Sequence, residues 1–357
     1  METARAVIAA EPWTDWRGFM EQWRQREPLI RLQKSLFYQR YATAVLLAHR
    51  VGVFDALAAG PATSAELANR CQLRNRSADA LLRILHAQGY VDRDADRYEL
   101  SDFAQLYLTQ GGAHSLSDTL DFVAVQTESF ADTAAGLRTG HAPAKLDIHS
   151  DEAAYPQFVR AVNEYLKWAT PELLAQIELP EISDCIVGSM GVSFSAALLK
   201  RAPKARVTYG CLAHLVPEIG PLRQLYGVPA ERVTGESVHA GDPSTDSWGG
   251  DAFDLVFLTK KMIVDPEDRI GERFARKAFQ VLRKGGVAVL WETLHTEQNR
   301  TPIGRAMEAV FDLGASPDGL VHTEASLHQL LTDIGYGDVH TVACLGGQTT
   351  FTVAYAP

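Results

Sequence analysis

Beyond Ile182 the sequence alternates between two kinds of segment, and this limits the fold more than any other feature. Asp184–Val187, Arg206–Tyr209, Arg232–Val238, Phe253–Leu258 and Gly286–Glu292 are short apolar runs. Ser195–Arg201, Val216–Tyr226, Glu272–Leu282 and Glu324–Ile334 carry helical spacing instead. A helix that follows a strand returns the chain for another strand in the same direction, so repeated strand–helix units predict a doubly wound, mostly parallel α/β sheet. Val339–Ala343 and Thr349–Ala354 are separated by a Gly346–Gly347 turn and no helix, which predicts an antiparallel hairpin added to that sheet.

Upstream the order is helix, helix, helix and two short extended pieces. Tyr38–Leu57 reads as one helix with Leu46, Val53 and Leu57 apolar. Thr63 or Ser64 caps the next, with Glu66 in its first turn. Asn75–Gln88 places Ala80, Leu81, Ile84 and Leu85 on one face and stops at Gly89. Tyr90–Arg93 and Arg97–Leu100 then flank the turn Asp94–Asp96. This is a winged-helix pattern, which raises the question of DNA. The wing carries Asp92, Asp94 and Asp96, and the chain has 34 Lys+Arg against 44 Asp+Glu, a net charge of −10. Acidic side chains at the wing repel phosphate, so the module reads as a dimerisation domain. Phe37, Tyr41, Leu46 and Leu47 are more apolar surface than so small a domain covers alone. Before it, Trp13, Trp16 and Trp23, with Phe19 and Met20 at helical spacing, read as a packing arm; residues 115–180 are mostly helical.

Cys71, Cys185, Cys211 and Cys344 form no CxxC pair, and the 11 histidines show no ligand spacing, so no metal is expected. No run of signal-peptide or membrane-spanning length occurs, and a cytoplasmic protein is expected.

Several segments fall in an order and spacing that resemble the class I, S-adenosylmethionine (SAM)-dependent small-molecule O-methyltransferases, in the branch with an N-terminal winged-helix dimerisation domain. They are LLAHRVGVFDALAAGPATSAELA, LRILHAQGYV, YELSDFAQLYL, LRTGHAP, AYPQFVRAV, AFQVLRKGGVAVLWETL and GLVHTEASLHQLLTDIGYGDV. The resemblance covers about residues 36–355 and implies four parts. These are an arm (1–35), a winged-helix dimerisation domain (36–112), a helical linker and pocket wall (113–180) and a Rossmann-like methyltransferase-type domain (181–357).

Relatives carry DxGxGxG after the first strand, where glycines admit the cofactor to the backbone. Here the turn reads Cys185-Ile186-Val187-Gly188-Ser189-Met190-Gly191-Val192-Ser193. Ile186 takes the place of the acid, with Asp184 two residues earlier. Met190 and Val192 take glycine places, and Gly188 and Gly191 remain. Met190 is expected to fill the slot for the methionine part of the cofactor. Cys211 stands where an Asp accepts the ribose hydroxyls; losing such a charged acceptor costs about 1.5–3 kcal/mol. The adenine-side GD pair survives as Gly241-Asp242, with Gly235-Glu236 competing. After the fourth strand, Ile263 stands in the place of the His that serves relatives as general base.

Glu292 and His322-Thr323-Glu324 stay as in relatives, so Glu292 and His322 are the candidate acid–base residues. The resemblance lines the substrate pocket with Tyr165, Trp168, Met262, Ile263, Met307 and Phe311. Gly188, Met190, Gly191, Cys211 and Asp242 mark a degenerate cofactor site. The losses lead to the expectation of a repurposed, non-methylating enzyme without cofactor. It would cyclise, rearrange, eliminate or decarboxylate a small, apolar or polycyclic natural product. The alternatives are a divergent SAM-dependent O-methyltransferase of secondary metabolism and a catalytically silent, methyltransferase-like dimer partner. The expected partners are a small molecule and a second copy of the chain, with no nucleic acid and no membrane.

Overall fold

The computed structural model describes residues 35, 37–112, 114–139, 155–239, 248, 252–259, 270–292, 294 and 322–357. The Trp-rich arm lies outside them. The chain divides into two compact units, Met1–His114 and Ser115–Pro357.

In the first unit, α1 (37–50) stops before Gly52, whose φ of 76° lies in the left-handed region, and α2 (Val53–Ala58) begins there. The single helix expected over Tyr38–Leu57 is therefore two, broken where glycine removes the steric penalty of the turn. Thr63 caps α3 (Ser64–Arg70): its hydroxyl accepts the Glu66 N–H at 3.2 Å, and the Glu66 carboxylate accepts the Thr63 N–H at 2.8 Å. Helix α4 (Asn75–Ala87) buries Ala78, Leu82 and Leu85, while Ala80 is exposed and Leu81 and Ile84 are half-buried. Its inward face is thus rotated from the one expected. The wing, β2 (Val91–Asp94) against β3 (Arg97–Leu100), gains a third strand, β1 (Ala62–Thr63), paired to β3. Ser101 caps α5 (Asp102–Tyr107). Phe37, Tyr38, Tyr41 and Leu47 of α1 are exposed.

The second unit opens with α6 (Ser117–Thr139) and α7 (Tyr155–Gln176). The sheet strands follow: β4 (Asp184–Gly188), β5 (Arg206–Leu212), β6 (Val233–His239), β7 (Phe253–Thr259), β8 (Leu282–Glu292), β9 (Val339–Cys344) and β10 (Thr349–Tyr355). Their order is β6-β5-β4-β7-β8-β10-β9. Strands β4 to β8 run parallel, and β10 is antiparallel to both β8 and β9. This is the parallel sheet with C-terminal hairpin that the alternating segments predict. Helices α8 (Val192–Arg201), α9 (Val216–Tyr226), α10 (Ile270–Val281) and α11 (Glu324–Ile334) fill the connections.

Strand alternation divides the core between the two faces. Cys185, Val187, Tyr209, Cys211, Phe257, Val289 and Trp291 pack with α7, α8 and α9. Ile186, Val256, Leu258, Ala288 and Leu290 pack with α10 and α11. At the amino edge of the sheet, Arg283 pairs with Asp254 at 2.9 Å and Asp184 at 3.2 Å, and Arg206 pairs with Asp184 at 2.7 Å. Among the described residues no helix is long and apolar enough to cross a membrane, and no group of His, Cys, Asp and Glu is arranged to hold a metal.

Candidate active site

The parallel strands end at Gly188, Leu212, His239, Thr259 and Glu292, and this carboxyl edge is where open α/β sheets take their ligands. At this edge the neighbouring strands β4, β7 and β8 bring Gly188, Thr259 and Trp291 close together. A methyl group added at Gly188 would lie 3.9 Å from Thr259 Oγ1 and 3.8 Å from the Phe257 carbonyl oxygen, so the glycine leaves room for one contact atom. Thr259 is in register with Trp291. The indole stacks on Tyr165 of α7, 5.7 Å between centroids at 25°, and its Nε1 donates to Thr349 Oγ1 at 2.6 Å. Trp168 is half-buried one turn further along α7, with Lys167 Nζ 5.4 Å from its ring centroid. Thr259 is 1% exposed, and among the described residues its hydroxyl has no hydrogen-bond partner.

From Gly188 the chain makes one 3-10 turn, Ser189–Gly191, into α8. Gly191 is there for packing. A methyl at that position would come within 2.6 Å of Phe257 Cδ1 and 2.7 Å of Val187 Cγ1. Phe257 cannot retreat, because it stacks on Phe194 at 3.8 Å. The start of α8 is held by Asn163, a fully buried residue of α7. Its Oδ1 accepts the Ser193 N–H at 2.8 Å, and its Nδ2 donates to the Val159 carbonyl at 2.9 Å. That bond satisfies one of the helix's unpaired amides.

Several expectations change against this geometry. Met190 is 2% exposed within the core that α7 covers, so its side chain is spent on packing and does not stand in an open slot. Ile186 points to the opposite face, into the α10–α11 core. Asp184 sits at the other end of β4 in the ion pairs above and is no substitute for the missing acid. Cys211 is fully buried; burial foremost, then the nearby Glu236 carboxylate, pushes its thiol up to about 11. It is therefore a neutral group of the core.

Glu292 and His322 belong to the second face. Glu292 is buried and shares its side of β8 with Leu290; its carbonyl accepts from Thr350 Oγ1 at 3.0 Å. His322 stands just before α11. That helix leads into β9, which runs parallel to β8, so the start of α11 lies toward the carboxyl edge. His322 Nδ1 is 3.0 Å from Ser326 Oγ, and Ser326 spends its hydroxyl hydrogen on the Thr323 carbonyl at 3.1 Å. In the tautomer that satisfies both contacts, Nδ1 is the donor and Nε2 the accepting nitrogen. Burial lowers the imidazole pKa below its ordinary value, so the ring is neutral. Asp242, Met262, Ile263, Met307 and Phe311 lie outside the described residues. Thr259, Asn163 and Trp291 were not singled out from the sequence. A Thr closing an apolar strand and an Asn on the apolar face of a helix are the signals that point to the first two.

Comparison with known proteins agrees with this architecture. The family described as the O-methyltransferase dimerisation domain matches residues 35–110. N,N-dimethyltransferase OxyT of Streptomyces rimosus is 33% identical over 127 residues, 35% of this chain and 36% of that protein. The chain thus spans about a third of OxyT's length. Tetracenomycin polyketide synthesis 8-O-methyl transferase TcmO of Streptomyces glaucescens is 25% identical over 319 residues, 86% of this chain and 91% of that one. Human N-acetylserotonin methyltransferase, solved in complex with SAM, superimposes with a TM-score of 0.79 at 19% identity, covering 92% of this chain and 98% of that one.

These findings overturn the expectation of a protein without cofactor. The fold is shared with a protein solved with SAM in place, and the sequence relatives are methyltransferases by name. They favour the methyltransferase alternative over the non-methylating enzyme, which nothing among them supports. Residues 35–110 match the O-methyltransferase dimerisation domain, and the chain shares the Rossmann-like methyltransferase fold of these structures, as its sequence implies.

Proposed function

We propose that this chain is a SAM-dependent methyltransferase acting on a small secondary metabolite. The observation that carries the reading is the carboxyl edge itself. There the side-chain-free Gly188 lies beside the unpartnered Thr259 hydroxyl, next to the Tyr165–Trp291 stack. A glycine that leaves a cradle and a buried polar atom without a partner fit a polar ligand seated on the first strand turn. Bound there, SAM supplies an electrophilic methyl group.

The chain's own residues do the rest. Gly188 lets the backbone approach, and Gly191 and Asn163 hold the turn. Cys211, Met190 and Ile186 fill the core around it, and Asp242 is assigned to the adenine side by its sequence position. Tyr165 and Trp168, with Met262, Ile263, Met307 and Phe311 by sequence position, form an apolar wall suited to an aromatic acceptor. His322 accepts the acceptor's proton at Nε2, and Glu292 is the second acid–base group. An oxygen acceptor is favoured because TcmO, named for O-methylation, matches over 91% of its length, whereas OxyT, named for N,N-dimethylation, matches over 36%.

Calorimetry with SAM and S-adenosylhomocysteine is expected to give micromolar binding of both. No heat from either at millimolar concentration would sink the reading. The dimerisation domain and the exposed Phe37, Tyr38, Tyr41 and Leu47 of α1 support a homodimer. Light scattering should return twice the chain's 39.2 kDa. A single chain's mass at micromolar concentration would refute that part.

A further inference from the structure

We infer that Thr259 is a ligand-binding residue of this site, its hydroxyl hydrogen-bonding the S-adenosyl cofactor in place of the charged contact that Cys211 does not make. The inference rests on the proposed SAM-dependent reading and deepens it. Thr259 ends β7 with a side chain 1% exposed, yet among the described residues its Oγ1 meets no donor or acceptor. Leaving a buried hydroxyl unpaired is unfavourable, because it has given up its hydrogen bonds to water. Valine would fill the same volume in a strand at no such cost, and β-branched residues suit strands equally well. The hydroxyl is therefore a group that a polar partner would satisfy.

Its position says what kind of partner. Oγ1 lies 3.9 Å from the point where a side chain on Gly188 would begin, so a ligand atom seated in the Gly188 cradle comes within hydrogen-bond reach after a small rotation. The same face offers no carboxylate at the end of β5, because the Cys211 thiol is neutral and buried. An uncharged hydroxyl both donates and accepts, so it serves the polar groups of a zwitterionic, hydroxyl-bearing ligand without burying a second charge.

The test compares Thr259→Val, Thr259→Ser and wild type by calorimetric titration with S-adenosylhomocysteine, alongside thermal melts of the unliganded proteins. Thr259→Val is expected to weaken binding about fivefold to tenfold, the loss of one hydrogen bond, while its unliganded Tm equals or exceeds that of wild type. Thr259→Ser keeps the hydroxyl and should bind within about twofold of wild type. A Thr259→Val protein that binds as well as wild type overturns the inference while leaving the methyltransferase reading intact. So does a Thr259→Ser protein that loses as much affinity as the valine variant. If Thr259→Val does not fold, Thr259→Ala replaces it against Thr259→Ser, with the same expectation and the same refutation. Wild type that binds no S-adenosylhomocysteine at all defeats the proposed function and this contact together.

Discussion

Gly191→Ala is expected to lower the Tm by several degrees, whereas Gly188→Ala, three residues away in the same turn, leaves it near that of wild type. Gly191 has φ −113°, a conformation alanine adopts without strain, so any effect comes from packing. The added methyl would meet Phe257 Cδ1 at 2.6 Å, Cε1 at 2.7 Å and Val187 Cγ1 at 2.7 Å. Both neighbours are fully buried, and Phe257 is pinned against Phe194 from the other side. Relief must come from moving the turn away from β7, and overpacking of this kind costs about 1–3 kcal/mol. At Gly188 the corresponding contacts, 3.8 Å and 3.9 Å, are ordinary ones. The same pair should separate differently in ligand binding, because Gly188→Ala fills the cradle that Gly191→Ala leaves open. Equal melting temperatures for the two variants would show that Gly191 is not the packing position inferred here.

The two glycines also show how far a sequence pattern reaches. The strand–helix alternation was readable because the central strands β4, β7 and β8 are buried on both faces along most of their length and must be apolar there. The hairpin was readable because two glycines between apolar runs leave no length for a crossover. Motif spacing, by contrast, says which residues share a turn and not which way they point. Met190 occupies a glycine place in the pattern, yet one 3-10 turn carries it into the core beneath α7. Gly191 sits beside it for the sake of a phenylalanine on another strand. Cys211 reads as a lost acid, but in the structure it is a buried core thiol. A Thr that ends a strand, as Thr259 does, looks ordinary in sequence until its neighbours are known. The break at Gly52 and the turned face of α4 have a similar origin: helical periodicity fixes a stripe only to within about one residue per turn, and the neighbouring elements choose among the options.

The second large effect concerns His322. His322→Ala is expected to reduce turnover at least tenfold, about 1.4 kcal/mol in barrier, and general-base removal commonly costs a hundredfold or more. The geometry behind this is local. Thr323 caps α11, its hydroxyl accepting the Ser326 N–H at 3.2 Å, and Ser326 in turn accepts from His322 Nδ1. The cap thereby sets the tautomer and aims Nε2, so the four-residue spacing between His322 and Ser326 is itself part of the device. His322→Gln retains a donor toward Ser326 without a basic nitrogen, and it should lose as much activity as alanine while keeping the melting temperature of wild type.

The pH profile supplies a readout that packing alone would not move. Burial lowers the pKa of His322, so the ring stays neutral into acid below the ordinary imidazole value of about 6.5. Activity that needs this base should therefore hold steady as pH falls through about 6.5 and decline only below it. Stability follows the same sign. Between the lowered folded pKa and the ordinary unfolded one, the unfolded chain binds more protons at His322. This residue's contribution to stability is then present at neutral pH and lost as pH falls through that window. The glutamine variant should lack that part of the acid sensitivity. A variant with wild-type turnover, or a wild-type rate already halved at the ordinary imidazole pKa, would remove His322 from the proton path and leave Glu292 to be tested by Glu292→Gln.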